Sequence, residues 1–542
     1  MKPMNLKNAF FRTTLLTAMM AAVASLAATA HAAAPGISGG TGSPVFNLTA
    51  QPAYLNEPDG SSVYSWGYGC QSTWTPRFLP AAITNPTPSC PVMQVPGPTI
   101  IVTEGDVVTV NLSNGLPTAA GNTSILFPGF TVTATGGVSG LLAQEAAPGG
   151  TVVYTFTATS PGTHSYYSGT QGDLQIEMGL YGAVIVLPKP GDANIHNCTA
   201  LGQVPAHYVA PGNTPEVDFR LAPAAYNHAK ACYDREYLFQ FAEMDGNIHN
   251  KALQQVSDPV RIAACASGAS TPGCGLEVPT EPYHPNFFMI NGRSMPDDMD
   301  ANYEVEYPHQ PYNGNPHLHP GEMMLLRIIG QGRWQHPFHE HANHVRILGR
   351  DGNLILSQSN SGDLAGPALF TTTTTPGQTM DGIFYFTGRG LNWDMYGHNS
   401  TSSDPLAKLA CTPDANGYNS ITTALNYYEW CADHNKPLEA NPLGDIAAGG
   451  PVTLPNANIL TNGAWYGGTP YLGPNATVRS GGPGLDNMQP SNIQANPANE
   501  RGWAYMWHSH NEREITTNNV FPGGMMMMLL VDSREFVIDE SN

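Results

Sequence analysis

The chain has 542 residues, of which 41% are apolar and only 12% charged, with a formal net charge of −20. It is long enough for two to four globular domains. Its negative balance argues against nucleic acid or anionic lipid headgroups as partners and favours cations. Glycine (57) and proline (47) are abundant, which favours short strands joined by turns and excludes a mainly helical architecture.

In chain order, residues 1–32 read as a secretory signal. Lys2, Lys7 and Arg12 precede the apolar run "TTLLTAMMAAVASLAATA", and small residues for cleavage follow near Ala30 or Ala32. Removing three cations and no anions takes the formal charge from −20 to −23. No later stretch resembles a spanning helix, so no membrane insertion is expected. A secreted, periplasmic or cell-surface location follows. In such an oxidising compartment the eight cysteines are expected to pair in sequence order, although spacing does not fix connectivity. The pairs would be Cys70–Cys90, Cys198–Cys232, Cys265–Cys274 and Cys411–Cys431.

Three all-β blocks follow. In 33–190, "GPTIIVTEGDVVTVNLSN" and "GGTVVYTFTA" alternate with the period of half-buried strands, and "GLYGAVIVLP" closes the block. Block 191–305 contains "REYLFQFAEMD" and ends near "NFFMINGRSMPD". Block 306–542 opens with "PGEMMLLRIIG", which echoes "EGDVVTVNLSN" and suggests duplicated β-sandwich units. Residues 390–500 are rich in Asn, Gly, Pro and Ser and read as a loop-rich insertion pinned by Cys411 and Cys431.

Two segments of the last block carry metal-site chemistry. "HPFHEHANH" (336–344) and "MWHSHNERE" (506–514) each hold a His-x-His pair, His339/His341 and His508/His510. Side chains alternate along a strand, so each pair presents both imidazoles on one face. If the two strands are neighbours, four imidazoles converge on a site suited to copper or zinc. Glu340 falls on the opposite face, so Glu512 or Glu514 is the better partner to orient the imidazoles, with Glu512 on the His510 face if the strand continues. His344 reads as structural. His309, His317 and His319, in "PHQPYNGNPHLHPG", read as a solvated turn that could gather metal. Met525 to Met528 could offer thioethers to copper(I), at most two of them on one face of a strand, and core packing is the default.

Together these segments resemble the multicopper oxidases, the laccase and copper-resistance oxidase family. "HPFHEHANHVRIL" resembles the family's His-Pro-x-His-x-His segment, which assigns His336 to the type 1 copper and His339 and His341 to the trinuclear cluster. "HSHNERE" with "GGMMMMLLV" resembles its His-Cys-His-x-x-x-His segment and the Met strand that follows. "NTSILFPGF" and "SYYSGTQ" resemble the two first-domain segments. The resemblance implies three cupredoxin-like Greek-key domains and a copper centre, and it also shows what is missing. Leu126, Pro128, Tyr167 and Gly169 stand where the first domain's cluster histidines are expected. Ser509 replaces the type 1 cysteine and Glu514 its second histidine. A serine hydroxyl is a poor copper ligand and no conduit for electrons, so laccase-type oxidation is not expected.

The reading that follows is a secreted protein that binds copper, or zinc in its place, through His339, His341, His508 and His510, with His336 and Glu514 as weaker candidates. His336 and Glu514 could equally form a plain imidazole–carboxylate pair. Tyr167 could fill the vacated cluster volume. A mononuclear copper oxidoreductase and a metal-free scaffold are the alternative functions.

Overall fold

The computed structural model describes residues 34–83, 88–193, 198, 218–319, 321–386, 412–415, 419–421, 468–471, 502–532 and 538. The expected signal segment and nearly all of the expected 390–500 insertion, with Cys411 and Cys431, lie outside them. The other three disulfides, Cys70–Cys90, Cys198–Cys232 and Cys265–Cys274, are formed in sequence order.

The all-β reading holds. Strand Val107–Asn114 buries Val108, Val110 and Leu112, and Thr151–Thr157 buries Val152, Tyr154 and Phe156, with the intervening residues turned outward. These strands share a five-stranded sheet with Val45–Asn56, Ser62–Cys70 and Thr133–Gly136. It packs on a second five-stranded sheet containing Gly162–Tyr167 and Tyr181–Leu187. Trp66, Tyr68 and Phe46 fill the space between the sheets.

The strands of the expected middle block join the second unit. Arg235–Met244 and Phe287–Ile290 extend a seven-stranded sheet through parallel pairing of Arg235–Met244 with Met323–Gly330. Every residue of Arg235–Met244 is buried, as expected of a strand covered on both faces. Facing this sheet is a six-stranded one that includes His336–Glu340, Gly502–Ser509 and Met526–Asp532. Phe239, Phe241, Phe338 and Trp507 interlock between them. The described strands therefore form two sandwiches, and 191–305 contributes two strands to the second instead of a sheet pair of its own.

The echo between "EGDVVTVNLSN" and "PGEMMLLRIIG" has a topological counterpart. Val107–Asn114 pairs parallel with Val45–Asn56 and antiparallel with Thr151–Thr157. Met323–Gly330 pairs parallel with Arg235–Met244 and antiparallel with Thr379–Tyr385. The sandwiches meet along a seam where Val95 and Tyr181 pack on Ala242, Met244 and Met289. There Asp381 accepts hydrogen bonds from the backbone N–H and hydroxyl of Thr163 at 3.0 and 2.6 Å.

Candidate metal centre

His336–Glu340 and Gly502–Ser509 are antiparallel neighbours, with His339 directly opposite His508. Alternation turns His336, Phe338 and Glu340 into the sandwich and His339 outward, with His341 following on the same side. The four imidazoles of His339, His341, His508 and His510 meet there. Ring centroids lie 4.9 Å apart for His339–His341, 5.0 Å for His339–His510, 5.2 Å for His341–His508, 5.4 Å for His508–His510 and 5.6 Å for His339–His508. His339, His341 and His508 are buried, while His510 stands at the solvent edge.

Two of these rings are oriented by their Nδ1 atoms: His339 against the Thr371 hydroxyl at 2.8 Å and His508 against the Ser509 carbonyl at 2.7 Å. The expected orienting carboxylate, Glu512, is exposed and 4.0 Å from His510, so Thr371 and a main-chain oxygen take that role. Burial, then repulsion from His508 and His510, lowers the pKa of His339 to about 4. Burial also lowers that of His508. Both rings are therefore neutral near neutral pH, the form that binds metal. Nε2 of His508 and Nε2 of His341 are 3.3 Å apart, about the spacing of two nitrogens sharing a tetrahedral ion with bonds of about 2.0 Å. Among the described residues, however, no three His, Cys, Asp or Glu side chains stand together in ligating geometry. The donor chemistry fits copper or zinc, and a third ligand requires ring rotation.

The inward face differs from the sequence expectation for a metal ligand at His336. Its Nδ1 lies 2.9 Å from Glu514 and its Nε2 2.9 Å from Glu243, and all three side chains are buried. Burial opposes the imidazolium, but the hydrogen bonds and charges of Glu243 and Glu514 outweigh it and hold the pKa at about 9. A protonated ring with both nitrogens donating offers no lone pair to a metal. Glu514 is also engaged elsewhere, accepting hydrogen bonds from the Ser509 hydroxyl and from Asn511 Nδ2. The imidazole–carboxylate alternative is therefore what forms, with a second carboxylate that sequence reasoning missed. Glu243 accepts from the backbone N–H groups of Arg333 and Trp334 at 2.7 and 2.8 Å, and Tyr283 bridges it to Glu177. Its signal in the sequence was an acid inside the apolar run "REYLFQFAEMD".

Other expectations divide. Glu340 faces inward as expected, and burial raises its pKa to about 8. Met525 and Met527 pack in the core. His317 and His319 are buried, not solvated: His317 lies on a strand paired with Met526–Asp532, and the backbone of His319 donates to Glu322.

The first sandwich repeats this geometry without histidines. Tyr167 pairs with Tyr181 as His508 pairs with Met526, and Leu126 bridges Tyr167 as His339 pairs with His508. Pro128 and Gly169 follow two residues on, as His341 and His510 do. A Cβ at Gly169 would stand 2.8–3.1 Å from the Leu126 side chain, so Leu126 has filled the space. Tyr167 lines a cleft beside it, and burial raises its phenol pKa, which disfavours a phenolate ligand.

A multicopper oxidase family model matches residues 92–191, the stretch that contains these four positions. Over 99 residues the chain is 38% identical to multicopper oxidase MCE of Talaromyces pinophilus, covering 18% of this chain and 16% of that one. It is 38% identical over 98 residues to L-ascorbate oxidase of Brassica rapa subsp. pekinensis, covering 17% and 16%. Copper resistance protein A of Escherichia coli shares 38% over 93 residues, covering 17% and 14%. In each case the match spans less than a fifth of the relative's length. Among solved structures, the chain is similar to the blue copper oxidase from Nitrosomonas europaea (15% identity, TM-score 0.42, covering 90% of this chain and 85% of that one). It is also similar to the multicopper oxidase mgLAC (14%, TM-score 0.43, 92% and 88%).

Proposed function

From the premise that the chain belongs to the multicopper oxidase family, we propose that it is a secreted protein that binds copper through His339, His341, His508 and His510, for sequestration or delivery. The observation that carries this reading is the gathering of four imidazoles, two of them held neutral by burial, on one face of paired strands. Copper bound there would supply Lewis acidity and a redox couple. Thr371 and the Ser509 carbonyl would hold two rings in place, and His510 at the solvent edge would admit or release the ion.

Laccase-type oxidation is not part of this reading. Ser509 stands between His508 and His510 where a thiolate would carry electrons, and its hydroxyl is engaged by Glu514. The inward position is filled by an imidazolium held between two carboxylates, which leaves neither ring nitrogen a lone pair for a metal. Three disulfides support an oxidising, extracytoplasmic location. Among the described residues no helix is long and apolar enough to cross a membrane.

Elemental analysis of tag-free mature protein loaded with copper tests the proposal. We expect stoichiometric copper without the intense visible absorption of a thiolate complex, and loss of that copper in the His339→Ala/His508→Ala variant. Copper retained equally by the variant, or by neither protein, would sink the proposal. Turnover of a reductant that depends on both histidines would instead favour a mononuclear copper oxidoreductase.

A further inference from the structure

A cleft of about 410 Å³ opens where the two sandwiches meet, a size suited to a small molecule. It contains none of the four clustered histidines. The first sandwich contributes His164, Ser165, Tyr167 and Pro128, and the second contributes Asp351 and Pro376.

The strongest sign of a ligand is Ser165. It is 1% exposed, and its hydroxyl has no hydrogen-bond partner among the described residues. An unsatisfied buried hydroxyl is destabilising, and a molecule that reaches it removes that cost. His164 adds an acceptor. Its Nε2 faces the Ser160 carbonyl at 3.0 Å; a carbonyl only accepts, so Nε2 carries the proton and Nδ1 is left as the lone-pair nitrogen. Burial lowers the His164 pKa, which keeps the ring neutral near neutral pH.

The charge pattern selects among ligands. Among the described residues no Lys or Arg lines the cleft, and Asp351 at its exposed rim is the one carboxylate among them. The one charged group an anion would meet repels it. A cation with N–H donors would meet a carboxylate, a neutral imidazole nitrogen and the face of an aromatic ring, which attracts cations. Tyr167, Pro128 and Pro376 supply apolar surface for a carbon skeleton.

We propose that this cleft binds a small organic ammonium ion, its N–H groups directed to Asp351 and His164 Nδ1 and its hydrocarbon part lying on Tyr167 between Pro128 and Pro376. Ser165 then meets a polar substituent of the ligand. The site is independent of the copper reading, because it shares no residue with the imidazole cluster.

Isothermal titration of copper-free mature protein with three isosteric probes tests it: 2-phenylethylamine, 2-phenylethanol and phenylacetate. The amine is expected to bind at least about tenfold more tightly than the alcohol, about 1.4 kcal/mol, and the acid not measurably. Asp351→Asn should weaken the amine by a similar factor while leaving the alcohol unchanged. This variant keeps the side-chain acceptor for the Thr379 N–H and the left-handed backbone at φ 50°, which Asn tolerates. Tyr167→Leu should weaken both amine and alcohol. Equal affinities for the three probes, an amine affinity indifferent to Asp351→Asn, or no binding of any probe would overturn the proposal.

Discussion

The Gly162–Tyr167 strand, at one end of its sheet, and the Gly502–Ser509 strand, inside its own, share the local pairing register at the site, and what lies on their two faces differs in parallel ways. On the outward face, Leu126, Pro128, Tyr167 and Gly169 stand where His339, His341, His508 and His510 stand in the second sandwich. On the inward face of the first sandwich, Gln175 accepts hydrogen bonds from the hydroxyls of Thr123 and Ser168 at 2.9 and 2.7 Å. On that of the second, Glu514 accepts from Ser509 and faces His336 at 2.9 Å. One interior is a neutral network; the other is ionic. The pairing register is common to both, so it is set by apolar alternation and not by the groups at the site. Histidines can therefore stand at these four positions or be absent from them without loss of the sandwich, while the energetic character of the interior changes.

The widest separation between the two sandwiches should come from removing the buried cation. His336→Leu leaves Glu243 and Glu514 facing each other without compensation, and breaking a buried pair from one side costs about 3–5 kcal/mol. Urea unfolding of mature protein at neutral pH should show that loss; a change below about 1 kcal/mol would mean that the ionic interior is dispensable.

Next in size is the alkaline limb. The folded pKa of His336, about 9, lies above the usual 6.5, so its stabilisation is complete below 6.5, declines above it and is lost as pH passes 9. At about 1.4 kcal/mol per unit this is of order 3 kcal/mol. Glu177 and Glu340, whose pKa values burial raises to about 8, act with the same sign between 4.5 and 8. Unfolding midpoints should fall from pH 7 to 10, and His336→Leu should flatten the upper part of that fall.

Ser509→Ala removes the hydrogen bond to the Glu514 carboxylate, and with it the one the hydroxyl accepts from the Asn511 N–H, and should cost at least about 1.5–3 kcal/mol. In the neutral counterpart, Thr123→Val should cost only about 1 kcal/mol. If these two losses, measured side by side in urea, come out equal, the contrast between an ionic and a neutral interior fails.

Much of this was legible from residue order. Alternation located the buried strands, and His-x-His spacing placed His339 and His508 on the outward face and Glu340 on the inward one. The His336–Glu514 pair was visible as an alternative. Its second carboxylate was not, because Glu243 lies 93 positions before His336 and only the sheet register brings them together. The same limit hid the assignment of Arg235–Met244 to the second sandwich, since a parallel pairing between distant segments leaves no local signal. His317 and His319 misled for a related reason: Gly, Pro and Asn around them imply a turn, whereas a two-residue strand pairing with Leu530 and Val531 buries them.

The contact between Leu126 and Gly169 also bears on history. A side chain added at 169 would press into Leu126 at 2.8 Å, so an imidazole cannot return there until residue 126 has been made smaller or changed with it. The contact works as a ratchet at this one position: a side chain at 169 is penalised while Leu126 stays, and a coordinated pair of replacements at 126 and 169 would reopen the space.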